Sequence, residues 1–439
     1  MDSPNLVDAG SPVPADRAMP RLDGLAPTIR RNWPTLLVLA VVVAMAFLSV
    51  GSFSAVQEAA KAELRLSDVM LGTIQGVSAA VPLVLLSAPA GAAVDRVNRM
   101  HLLLGMSVIW TMGTLGTAFA GSAAMLFVAR MLASIGIAGA LTAAISIAAD
   151  LCGQSERGRA MLILTLGKSA GQAAAFSATG ALFGFFQIAG PSLGELSAWR
   201  ASHVILAIAA AVLTLPLLML REPARQETQI EGTRPPFGVV LRSLWARRSF
   251  ILPLFAGGVA VAMADTAAAI WAAPVLGRAF NLTPDQFGGW MGAIMLVTGI
   301  VGAVTGGLAA DWGQKRGRIL FPAILAAGLS VPAALFPVMG SVTGFAVVLA
   351  LFAFSGYVIG VIIAAVLAVT LPNEMRGLGI GIFLALAGLV AFGLAPPLVG
   401  WIATLLGGEA HLPAALALVA TTVSAFSLVC FIIAARRPI

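Results

Sequence analysis

Three charged residues stand inside long apolar stretches, where a charge needs a purpose: Arg130, Lys168 and Asp265. A charge at the centre of a bilayer costs roughly 2.5–3.5 kcal/mol on insertion scales, so a side chain that bears that cost usually faces an interior cavity or a partner. Arg130 lies about 12 Å into the stretch that opens at 122, and Lys168 about 15 Å into the next, entered from the opposite side, at 1.5 Å per residue. In a hydrocarbon core about 30 Å thick, both cations reach the middle. The guanidinium of Arg130 suits a forked contact with phosphate or carboxylate. Lys168 would add a second positive charge to hold the anionic group of a substrate. Asp265, in the other half of the chain, is then their counter-ion in the empty site and a candidate proton carrier. Gln75, Gln172, Trp271 and Tyr357 could supply polar or aromatic walls. The competing reading is that Arg130 bonds backbone carbonyls, while Lys168 snorkels or pairs permanently with Asp265.

Other chemistry is poorly represented. Three His and two dispersed Cys have no metal-ligand spacing, so no metal is expected. Gly167-Lys168-Ser169 has the ending of a phosphate-binding loop, but Leu162 stands where its first glycine belongs and the tripeptide sits in an apolar stretch. Neither a nucleotide nor any other cofactor is expected, and the chain does not read as an enzyme.

The elements that must hold these charges are membrane spans. Hydrophobic residues make up 59% and charged ones 10% of the 439 positions, against about 25% charged in a soluble domain. Runs of roughly 20 apolar residues predict spans near 35–57, 69–94, 100–120, 123–149, 158–187, 199–220, 249–276, 284–310, 318–338, 342–370, 377–404 and 412–434. The expected fold is all-α: twelve transmembrane helices in two pseudo-symmetric six-helix bundles. The parts are a disordered cytoplasmic tail (1–34), an N-terminal bundle (35–220), a polar central loop (221–248), a C-terminal bundle (249–434) and a short tail (435–439). The tail lacks the apolar core of a signal peptide. Most of the 26 Lys and Arg fall in loops on the side of both termini. That positive-inside bias predicts both termini cytoplasmic, in the cell (inner) membrane. Dispersed over short loops, the net charge of +7 does not indicate nucleic acid. A monomer in lipid is expected. Cys152 and Cys430, both near cytoplasmic ends, predict no disulfide.

The second bundle repeats the first. Gly91-Ala-Ala-Val-Asp95-Arg96-Val-Asn98-Arg99 is matched by Gly307-Leu-Ala-Ala-Asp311, with the two Asp 216 positions apart, and Arg157-Gly158 by Arg376-Gly377. Gly permits close helix approach, Asp can meet a positive helix N-terminus, and Arg can reach acids across the bundle. The expected device is a cytoplasmic gate in which Asp150 and Arg157 partner the first loop and Arg376 the second.

These loops resemble the signature of the major facilitator superfamily, supported by Arg130 with Gly136 and Gly139, and by Glu156-Arg157-Gly158. Within it the chain looks similar to the bacterial Spinster-like group, through Lys61-Ala-Glu-Leu-Arg-Leu-Ser67-Asp68 with Leu71-Gly72, Asp95-Arg96-Val-Asn98-Arg99, Trp110 and Trp199-Arg200. That group usually carries Asn-Tyr-x-Asp-Arg in its first span; here Ala46-Phe47-Leu48-Ser49-Val50 stands there. Its Gly-Glu pair becomes Gly136-Ile137, and the exchanger motif's Pro becomes Gln172. Ser49, at the usual place of the missing Asp, falls one repeat before Asp265, which suggests that the cavity carboxylate changed halves. The resemblance implies a secondary transporter working by alternating access on a lysophospholipid- or sphingolipid-like anion, with proton linkage expected. A proton-linked carrier of a small hydrophilic carboxylate is the alternative. A non-transporting sensor or scaffold is the reading from another class.

Overall fold

The computed structural model describes residues 28–153, 156–190, 195–225, 237–371 and 373–437; side chains at 87, 88, 90–92, 95, 237 and 373–377 also lie outside the description. The first half holds α1 (Ile29–Leu64), α2 (Asp68–Arg96), α3 (Arg99–Phe119), α4 (Ala123–Asp150), α5 (Arg157–Ala189) and α6 (Ala198–Thr214). The link contributes α7 (Phe237–Ala246), and the second half holds α8 (Arg248–Phe280), α9 (Pro284–Lys315), α10 (Phe321–Ala333), α11 (Val342–Thr370), α12 (Asn373–Leu405) and α13 (Leu412–Ala435). Among the described residues 11 helices are long and apolar enough to cross a membrane. The twelfth crossing is α5, whose apolar run is diluted by Lys168, Gln172 and Gln187. An even number of crossings puts both described ends on one face, here the terminal face; the opposite one is the far face.

Helix ends are set by side chains that satisfy the otherwise orphaned first-turn amides. Ser67, Asn98, Ser122 and Ser341 accept from Met70, His101, Met125 and Gly344, opening α2, α3, α4 and α11. Thr283 and Gln286 form a capping box on α9. Arg65 (φ 52°) and Asn281 (φ 53°), separated by the same offset as the two loop Asp residues, end α1 and α8 in the left-handed conformation. The repeat therefore extends to how each half stops its first helix.

Two expected boundaries move. The first helix starts at Ile29, not 35, because Ile29 N–H donates to Glu156 (3.0 Å) and Asn32 Nδ2 to the Leu151 carbonyl (2.6 Å), tying its start to the turn before α5. The central loop is not wholly irregular either. Its ten-residue α7 buries Val240 and Leu244 against the second half and leaves Leu241, Arg242 and Trp245 exposed.

Three apolar cores order the molecule. At the terminal end each half has its own: Leu39, Val43, Leu103, Trp110 and Ile147 in the first, Leu254, Ile319, Ile359 and Phe431 in the second. At the far end one core takes Phe53, Leu71 and Phe176 together with Trp271, Phe287 and Phe345. Two helix pairs make that far seam, and they are related by the repeat. Gly288 and Gly292 of α9 lie against the backbone carbonyls of Phe176 and Ala173 in α5, while Gly72 and Gly76 of α2 lie against those of Pro396 and Phe392 in α12. A Cβ at any of the four would strike backbone, so these are small-residue contacts that let helix axes approach closely.

Candidate functional site

Below the seam, toward the terminal face, lies a cavity of about 500 Å³ between the halves. From α5 it receives Thr165, Lys168, Ser169 and Gln172, and from α8 Ala262, Asp265 and Ala269. Helices α9 and α11 add Met295, Leu349, Phe352 and Tyr357. Thr165 and Gly360 mark its exposed side toward the terminal face. Lys168 and Asp265 face this space from opposite halves, within range of each other's charge but in no ion pair among the described residues. The Lys168 ammonium lies 5.4 Å from the Phe47 ring centroid, a cation–π contact that offsets part of its lost hydration. The Asp265 carboxylate rests against Gly356, where a Cβ would overlap both its oxygens. The Tyr357 hydroxyl donates to Gln172 Oε1 at 3.1 Å, bridging the halves across the cavity. The site thus holds one cation, one carboxylate, a phenol–amide bridge and mainly apolar walls.

The structure does not bring the other expected residues to this cavity. Arg130 is 2% exposed; its guanidinium donates to the carbonyls of Ser49 (3.1 Å) and Val50 and lies 5.3 Å from the Phe53 ring centroid. It ties α4 to α1, as the competing reading held, because its face of α4 turns toward α1. Ser49 is buried, contributing its carbonyl to Arg130, and is not among the residues that line this cavity. Gln75 donates to Ser54 Oγ and Gln57 Oε1, both at 3.0 Å, and Gln57 in turn donates to the Ile270 carbonyl of the other half. Trp271 is sealed in the far core with Nε1 donating to the Pro396 carbonyl at 3.0 Å.

A family profile described as Major Facilitator Superfamily matches residues 37–392. The chain belongs to the major facilitator superfamily. Among its curated relatives, human Protein spinster homolog 1 is 27% identical over 323 residues, 70% of this chain and 58% of the human protein. The bovine Protein spinster homolog 1 is 28% identical over 286 residues, 60% of this chain and 52% of its own. The match therefore spans little more than half the length of these relatives. A solved bacterial homolog of the human lysosomal transporter Spinster, inward-facing and unoccupied, superposes with TM-score 0.75 at 22% identity, covering 92% of this chain and 95% of that one. The Escherichia coli xylose transporter XylE, inward open, gives 0.63 at 15%, covering 90% and 95%. At these identities the solved structures share the fold. The protein is thus a multi-pass membrane protein of the major facilitator superfamily, similar to the Spinster group, with two pseudo-symmetric six-helix bundles.

In this facilitator the two signature loops of the terminal face are differently placed. Arg99, 2% exposed, pairs with Asp150 (2.5 Å) and Glu222 (2.8 Å), with Ser146 Oγ at 3.1 Å. Asp150 and Arg99 thus come together, within the first half and with an acid from the link that the sequence pattern did not suggest. Arg96 is exposed, and Arg157 opens α5 beside Glu156. The side chains of Gly91, Asp95 and Arg376 lie outside the described residues. In the second loop nothing approaches Gly307, and Asp311 is exposed in no ion pair among the described residues. Among the described residues nothing lies within 4 Å of a Cβ placed at Gly307.

The largest group missed by sequence reasoning joins the halves at the far face. Arg278 of α8 grips Glu58 (2.7 and 2.9 Å) and Asp68 (2.7 and 2.8 Å) of the first half, each through two nitrogen–oxygen contacts. Lys61 sits 2.7 Å from Asp68 and 2.6 Å from Glu409. Opposite charges ending spans on one face were the available signal. His203, near the start of α6, is fully buried with Nδ1 2.8 Å from the Trp199 carbonyl. Cys152 and Cys430 are free and buried; burial pushes the Cys152 thiol above its usual range.

Proposed function

We propose that the central cavity binds an amphipathic organic anion and that the protein moves it by alternating access, linked to a proton. The observation that carries this is the pair Lys168 and Asp265, facing each other across the halves without a direct contact. In the empty site each balances the other's charge. A substrate anion arriving at Lys168 leaves Asp265 in excess, and a proton on Asp265 restores balance, so anion and proton enter together. Ala262, Ala269, Met295, Leu349 and Phe352 suit an apolar tail, and the likeness to the Spinster group supports a lysophospholipid- or sphingolipid-like cargo. The positive-inside bias supports a cytoplasmic terminal face in the cell membrane. One chain encloses the whole cavity, in keeping with a monomer. In this reading Gly91, Asp95, Arg96, Arg99, Asp150, Arg157, Gly307, Asp311 and Arg376 form the gate on the terminal side.

The Gln172–Tyr357 bridge favours a second reading, a small hydrophilic carboxylate held by Lys168 and the phenol. Proteoliposomes loaded with a panel of lysophospholipids and of short carboxylates separate the two by which class competes. Lys168→Gln is expected to lower anion binding at least tenfold while the purified protein stays folded; wild-type affinity would remove the site assignment. Asp265→Asn is expected to flatten the pH dependence of transport, and an unchanged profile would remove proton linkage through this residue. If nothing in the panel moves under a proton gradient, a sensor or scaffold role replaces transport.

A further inference from the structure

Away from the central cavity, the terminal ends of α8, α10 and α13 enclose a second cavity of about 300 Å³. Phe250, Ile319, Leu320 and Ile324 make its apolar floor, and Arg318 and Arg437 stand at its mouth. Among the described residues no carboxylate lines it and neither arginine is in an ion pair. At its edge the Arg316 guanidinium lies 4.6 Å from the Trp312 ring centroid, and that ring is 6.1 Å from Phe321. Aromatic rings with cations beside them are typical of the level where acyl chains give way to headgroups.

The surface leading away from the cavity is apolar. On α10, Phe321, Leu325 and Leu329 follow one another at four-residue spacing and are exposed. On the adjoining α13, Phe426, Val429 and Ile433 form a matching exposed stripe. Two stripes of this kind descend from a cationic mouth into the membrane, a pattern matched by an anionic head above two acyl chains. Basic pockets between helices at a membrane face bind such headgroups.

We propose that this cavity seats the headgroup of an anionic phospholipid, its phosphate between Arg318 and Arg437 and its acyl chains along the α10 and α13 stripes. The lipid is a bound companion of the second half, distinct from the transported cargo, and it clamps the ends of α8, α10 and α13 together. The apolar stripes select a lipid over free phosphate.

The test is thermal unfolding of the full chain in detergent, titrated with phosphatidylglycerol, phosphatidylcholine or inorganic phosphate. Phosphatidylglycerol is expected to raise Tm saturably, and the other two to leave it unchanged. The Arg318→Gln, Arg437→Gln double variant is expected to need at least tenfold more phosphatidylglycerol for half the effect, and the corresponding double Lys variant, which keeps both charges, to stay within a few-fold of wild type. Should the double Gln variant fail to fold, Arg437→Gln alone, at the exposed end of α13, carries the comparison with a several-fold loss. Equal protection by phosphatidylcholine, protection by inorganic phosphate, or unchanged titration in the Gln variants would overturn the proposal.

Discussion

The two ends of the interface between the halves are built differently. At the far face the halves share one core, two repeat-related glycine seams and an ion cluster in which Arg278 and Lys61 hold Glu58, Asp68 and Glu409. At the terminal face each half keeps its own core, Arg99 spends its bonds within the first half and the link, and Asp311 stands exposed. Among the described residues the two repeated loops form no ion pair between the halves, while charges with no repeated motif do. The repeat describes how each half is built. Which end is shut depends on side chains that differ between the halves.

The largest expected effect comes from breaking the far seam by volume. At Gly288 a Cβ already meets the Phe176 carbonyl, and Gly288→Leu cannot be accommodated by side-chain rotation because the obstacle is backbone. Transport is expected to fall more than a hundredfold, with the protein held open at the far face. A Ser169→Cys reporter, with Cys152 and Cys430 replaced, should then react with a membrane-impermeant thiol reagent added from the far side. Absent reactivity would mean that the seam is not the barrier.

Arg278→Gln attacks the same seam through charge. Hydrogen bonds to charged groups contribute about 1.5–3 kcal/mol each, but Glu58 and Glu409 are partly exposed, which screens the pairs. A net shift of about 1.4 kcal/mol, or tenfold in the far-open population, is expected from the same reporter. Asp311→Asn should act in the opposite sense and more weakly, by a few-fold. Among the described residues its charge has no ion-pair partner to lose in this conformation, so the cost is expected to fall on the state in which the second loop engages. A far-open shift from Asp311→Asn would refute its place in a terminal-side gate.

Much of this organisation was legible in the sequence. Spans could be found because a bilayer demands about 20 apolar residues in a row, and the loops because charge interrupts them. Depth along a helix was legible too, which is why Lys168 and Asp265 were found. Azimuth was not. Arg130 reaches the right level but turns toward α1, and Trp271 and Gln75 likewise face neighbouring helices. Helix α7 escaped notice because ten amphipathic residues inside a polar break lack the length of a span. The residues that carried the Spinster resemblance, Lys61, Asp68 and Gly72, lie in the far seam, where their spacing alone could not name the partners Arg278, Glu409 and Pro396.

The smallest effect is the sharpest control on this comparison. Trp271 Nε1 donates to the Pro396 carbonyl, a bond between α8 and α12 within the second half, and the adjacent Ile270 accepts the Gln57 bond that crosses between halves. Trp271→Phe keeps most of the buried ring but removes this bond, at a cost of about 0.5–1.5 kcal/mol, since the Pro396 carbonyl lies inside α12 and keeps its helical partner. Because the bond stays intact whenever the halves move as bodies, that cost falls equally on both conformations. Unfolding should therefore begin at lower temperature while reporter accessibility changes less than twofold. Gln57→Leu, which removes the neighbouring bond across the seam, should instead change accessibility. If Trp271→Phe shifts the population as much as Gln57→Leu does, the second half does not move as one body, and the distinction between building a half and closing the seam fails at its centre.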